Sequence, residues 1–114
     1  MIAELKEAYA CHDIDDDGIE YFLFKMVDKD TLEKVFLAIL NQRVMDKFII
    51  RSKEEIYRTG YINTGFRVEL INIDYGIISL DDIKRMITEM MFAAGYELFY
   101  IKHNKILNLK AIYK

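Results

Sequence analysis

The 114-residue chain has no proline, no tryptophan, one cysteine, two histidines and two serines. Each scarcity removes a class of chemistry. A lone Cys11 excludes an internal disulfide framework and fits a reducing compartment, so a cytoplasmic location is expected. His12 and His103 are too few for a zinc site, which needs four clustered ligands or three plus water. Cys11 and His12 are neighbours; on a helix their side chains diverge by about 100° and make no nucleophile–base pair. Ser52 and Ser79 both read as helix caps rather than nucleophiles. The five glycines are scattered at 18, 60, 65, 76 and 95, which excludes a glycine-rich phosphate loop. No apolar run approaches the roughly 20 residues that span a bilayer. Residues 1–7 lack the basic and apolar regions of a signal peptide. No cofactor and no membrane contact are expected. The absence of proline accompanies 54 Phe, Tyr, Met, Ile, Asn and Lys residues against 17 Gly, Ala and Arg. That bias suits an A/T-rich genome, such as that of a low-GC bacterium or a phage or plasmid within one.

What is present is a globular composition, 53% apolar and 31% charged, read as one domain over residues 1–114. The net charge of −3 argues against a general phosphate-binding surface. Its distribution is uneven. Residues 1–20 carry seven acids and one lysine, and residues 99–114 carry four lysines and no acid. The simpler reading is that the termini lie close and compensate. The sharper one is two opposite patches, for a partner or for head-to-tail assembly.

Ile2, Leu5 and Tyr9 are spaced as one face of a short first helix. Ile19 to Val27 is almost continuously apolar, as in a doubly buried strand. Asp30 with Glu33 forms a capping box for a helix from Thr31 to about Met45, with Asp28 as the other cap, and Leu32, Val35, Phe36, Ile39 and Leu40 form its core stripe. Lys47 to Arg51 reads as a strand. Ser52 to Glu55 matches a capping box for a short helix, and Ile56 to Asn63 is ambiguous. Phe66 to Ile73 alternates as a strand. Ser79 with Asp82 opens a helix carrying Ile83, Met86, Ile87, Met90, Met91 and Ala94 on one face, and Gly95 closes it. Tyr96 to Lys102 and Ile106 to Tyr113 read as a terminal hairpin. The expected fold is α+β: a ferredoxin-like β-α-β-β-α-β antiparallel sheet with an extra N-terminal helix and a C-terminal hairpin strand.

One motif invites a functional reading. Asp13-Ile14-Asp15-Asp16-Asp17-Gly18 opens like a calcium loop, with carboxylates at alternate positions before a glycine. It then fails, because the eighth and twelfth positions are Glu20 and Phe24 rather than an apolar residue and a bidentate glutamate. A metal-dependent enzyme built on this loop stands as a third alternative, and no metal ligand set is assigned. A solvated loop or a docking patch for a basic partner fits better.

The leading expectation is a small non-catalytic module that binds another protein, as an accessory or inhibitor protein of a phage or plasmid would. Its contact residues are Asp13, Asp15, Asp16, Asp17 and Glu20, with Tyr57, Tyr61 and Tyr75, since exposed tyrosines suit interfaces. Homo-oligomerisation is compatible with this reading. The alternative is a nucleic-acid-binding module that uses Tyr100, Lys102, Lys105 and Lys110 on the C-terminal hairpin.

Overall fold

The computed structural model describes residues 4–56 and 62–102. Seven elements follow in order: β1 (Lys6–Ile14), β2 (Glu20–Lys25), α1 (Lys29–Leu40), β3 (Met45–Ile56), β4 (Ile62–Ile73), α2 (Leu80–Ala93) and β5 (Tyr96–Lys102). The strands form one mixed sheet in the order β3-β4-β2-β1-β5. Pairing is antiparallel except between β1 and β5, which run parallel.

The class is α+β, but the sheet is not the expected ferredoxin-like antiparallel one. In the segment read as a first helix, Lys6 to Ala10 belong to the strand β1. It lies between β2 and β5 and hydrogen-bonds to both. Its residues alternate as a strand requires. Ala8 and Ala10 face the helices and are fully buried, while Cys11 turns the other way into a small cluster with Tyr21 and Leu23. The helical spacing of Leu5 and Tyr9 loses to two flanking strands, which satisfy the backbone hydrogen bonds of β1 on both edges. Ser52 to Glu55 likewise continue β3, paired with Phe66 to Asn63 of β4, and open no helix. The expected last strand, Ile106 to Tyr113, lies outside the described residues.

Both helices pack on one face of the sheet. Leu32, Val35, Phe36 and Ile39 of α1 and Ile83, Ile87 and Met91 of α2 close over Phe22, Phe24, Val68 and Leu70. Met86 and Met90 pack against the same core. The Ser79–Asp82 capping box forms as its spacing demands, and Gly95 follows the helix with φ +94°.

At α1 the cap is Asp28, not Asp30. Its carboxylate accepts the backbone N–H and the hydroxyl of Thr31, each at 2.8 Å, and the Tyr96 hydroxyl at 2.9 Å. The Thr31 N–H first, then the two hydroxyls, hold the Asp28 carboxyl down at about 2. A folded-state pKa below the unfolded one gives stability that is present above pH 4 and lost as pH falls toward 2. Asp28→Asn keeps a competent cap but removes the charge. Acid titrations of the two unfolding free energies are expected to differ by about 0.5 to 1 kcal/mol at neutral pH, given the exposed position, and to converge near pH 2.

Candidate functional site at the acidic hairpin

The acidic run is the turn of the β1–β2 hairpin. Ile14 pairs with Glu20. The Asp15 N–H donates to the Ile19 carbonyl at 3.0 Å, and the Gly18 N–H donates to the Asp15 carbonyl at 2.9 Å. With Gly18 at φ +82°, this is the pattern of a three-residue hairpin loop ending in a left-handed glycine. The Asp15 side chain is the organiser. Its Oδ1 accepts the N–H groups of Asp17 (3.0 Å) and Ile19 (2.9 Å), and its Oδ2 accepts from Arg67 Nη2. The Ile19 N–H chiefly, with the Arg67 and Asp17 donors, holds the carboxyl below the usual range. Donors therefore surround the carboxylate that a calcium loop would turn toward its ion. Among the described residues no group of three or more His, Cys, Asp or Glu side chains is placed to hold a metal. Asp13 accepts the Ile14 N–H at 2.8 Å. Asp16 and Asp17 are exposed at the tip.

On the sheet face away from the helices, Arg67 of β4 joins the turn to the sheet. Its Nε donates to Glu69 Oε2 at 3.0 Å, and its guanidinium lies 3.9 Å from the Tyr21 ring centroid. Arg51 of β3 reaches Glu69 Oε1 at 3.1 Å. Arg51 and Arg67 are direct cross-strand partners, a like-charge pair that would be unfavourable alone. Glu69, only 4% exposed, lies between them and neutralises the repulsion. Asp15, Asp17 and Ser52 complete a cleft of about 410 Å³ around these groups. Arg51, Arg67 and Glu69 were not sequence candidates. The one local signal was the Arg–x–Glu alternation in β4.

On the opposite face, Glu20 bridges two groups. His12 Nε2 lies 2.9 Å from Glu20 Oε2, and the Tyr75 hydroxyl donates to Glu20 Oε1. Tyr75 stands in the turn closed by the Ile77 N–H donating to the Asp74 carbonyl. Partial desolvation and the Glu20 contact push its hydroxyl pKa well upward, so it remains a donor. Tyr75 as a residue is still 53% exposed, as is Ile77 two residues on (64%), and Ile14 (55%) faces the same side as Glu20. Tyr75 and Glu20 border a second cleft, of about 270 Å³, with Gly18, Ile19 and residues 70–73.

Of the expected contact residues, the structure thus gathers Asp13 to Asp17, Glu20 and Tyr75 at one end of the sheet. Asp15 and Glu20 hold structure there rather than point outward unbound. Tyr57 and Tyr61 lie outside the described residues. Cys11 and His12, being consecutive on a strand, face opposite sides of the sheet.

Of the alternative set, Tyr100 packs toward the helices. Its ring is 6.2 Å from that of Phe22, and its hydroxyl donates to the Lys84 carbonyl at 3.1 Å. Burial pushes its pKa to about 12. That ring is engaged in the core, not presented for base stacking. Lys102 pairs through its backbone with His12; Lys105 and Lys110 lie outside the described residues. No helix among the described residues is long and apolar enough to cross a membrane. Comparison with protein-family models, curated proteins and solved structures finds no match.

Proposed function

We propose that this chain is a small non-catalytic protein-binding module whose contact surface is the hairpin end of the sheet. The observation that carries the reading is Tyr75: the residue is half exposed while its hydroxyl is fixed by Glu20, itself fixed by His12. A tyrosine held rigid before binding loses little entropy on contact, and tyrosines dominate interface energetics. Exposed Ile77, two residues on, and exposed Ile14, opposite Glu20 in the hairpin, supply apolar area, and Asp16 and Asp17 supply negative charge at the hairpin tip. Complementary charge sets approach rate and orientation more than affinity, so the partner surface is basic with an apolar centre. The A/T-rich composition suits an accessory or inhibitor protein of a phage or plasmid acting on a cytoplasmic host protein.

Affinity capture from a lysate of the source cells, quantified by mass spectrometry, tests the reading. Wild-type protein is expected to retain a partner that Tyr75→Ala retains at least about tenfold less, with Tyr75→Phe intermediate. Retention indifferent to Tyr75 would contradict the assignment.

A further inference from the structure

We propose that the cleft between Tyr75 and Glu20 receives one arginine side chain of the protein partner, an inference that rests on the interaction reading above.

The chemistry of the cleft selects a cation. No lysine, arginine or histidine lines it. Glu20 offers a carboxylate with about four acceptor positions, of which His12 and Tyr75 occupy two. Strand β2 begins at Glu20, opposite Leu70. Past that point the β2-facing side of β4 has no strand partner among the described residues. Asn72 lies in this stretch with φ +53° and is absent from the paired register between β3 and β4. Asn72 and its neighbours Ile71 and Ile73 border the cleft beside the carboxylate. The Tyr75 ring adds an aromatic face, which attracts a cation placed over it. Asp16 and Asp17 on the adjoining turn raise the local concentration of positive groups.

A guanidinium suits this combination better than an ammonium. It is planar, donates in a fork matched to a carboxylate, and stacks on aromatic rings. The same sheet already holds one in this way: Arg67 lies on the Tyr21 ring at 3.9 Å while donating to Asp15 and Glu69.

The test is a titration of the ¹⁵N-labelled full chain with the tripeptide acetyl-Gly-Arg-Gly-amide, followed by NMR. The lysine and citrulline counterparts are run alongside; citrulline keeps the shape of arginine without its charge. Saturable shifts are expected at the amides of Glu20, Asn72 and Tyr75 with the arginine peptide. Binding should be several-fold weaker with lysine and undetectable with citrulline. Tyr75→Ala and Glu20→Gln should each weaken arginine binding by about tenfold or more. Equal shifts with citrulline, equal binding of lysine, or shifts confined to other residues would overturn the proposal. Loss of partner retention in Tyr75→Ala with no response to the arginine peptide would overturn the arginine cleft and leave the interaction reading standing. A response to the peptide with retention indifferent to Tyr75 supports the cleft and counts against that reading.

Discussion

Arg67→Met is expected to lower the unfolding free energy by about 3 kcal/mol, the range found when one partner of a buried ion pair is removed. Glu69 is almost wholly buried, and Arg67 supplies its nearer cation at 3.0 Å. The other partner, Arg51, is mostly exposed and compensates less through solvent screening. The substitution also strips Asp15 Oδ2 of its guanidinium, loosening the turn, and removes the cation from the Tyr21 ring. Methionine fills much of the same space, so the loss reflects charge more than volume. The double variant Arg67→Met/Glu69→Met removes the stranded charge and should recover more than half of the loss. Urea denaturation at pH 7 measures both. A single variant within about 0.5 kcal/mol of wild type, a shift typical of an ordinary surface substitution, would show that the network does not hold the turn to the sheet.

Gly65→Ala is expected to cost about 2 to 3 kcal/mol, at the upper end for added bulk in a packed interior. A Cβ at this position would stand 2.3 Å from the Phe24 carbonyl oxygen and 3.2 Å from Lys25 Cγ. The first of these is backbone, in a strand held on both sides, so it cannot swing aside as a side-chain end would. Relief requires β4 to separate from β2 near the Phe24–Phe66 pair, one residue from Arg67. The turn network should therefore weaken with the sheet. Protection of the β2 and β4 amides from hydrogen exchange should fall ahead of that in α1 and α2. A fully stable alanine variant with unchanged exchange would mean that the strands do not approach this closely.

Much of the chain was legible because its signals are local. Helix α2 carries its capping box, its 3.6-residue period and its closing glycine within 17 positions, residues 79 to 95. Helix α1 was legible in its core stripe but misplaced in its cap, since Asp28 and Asp30 both satisfy the pattern. Only the reach of the Tyr96 hydroxyl from β5 singles out Asp28. Strand β1 was not legible. Its partners are β2, nearby, and β5, far along the chain, and its inward residues are alanines, whose local preference is helical. Mistaking it changed the topology, because the strand separates β2 from β5.

The acidic run shows the same limit. Alternate aspartates before a glycine fit a calcium loop, yet a two-residue period is also that of a strand. An Asp–Gly between strands is a hairpin signal, and reading it required knowing that β1 is a strand. Glu20 and Tyr75 were named as contact candidates by residue type alone. Their bridge to His12, and the Arg51–Glu69–Arg67 network, depend on register between strands distant in sequence.

The central claim is a division of labour within the acidic run: Asp15 builds the turn, while the exposed Asp16 and Asp17 at its tip supply charge to the proposed contact surface. The most direct measurement is partner retention per folded molecule for Asp15→Asn and for Asp16→Asn/Asp17→Asn, each corrected by its own thermal unfolding curve. The account predicts a lowered unfolding midpoint with little specific loss of retention for Asp15→Asn. It predicts a wild-type midpoint with reduced retention for Asp16→Asn/Asp17→Asn. Equal midpoints and equal retention in the two variants would contradict it.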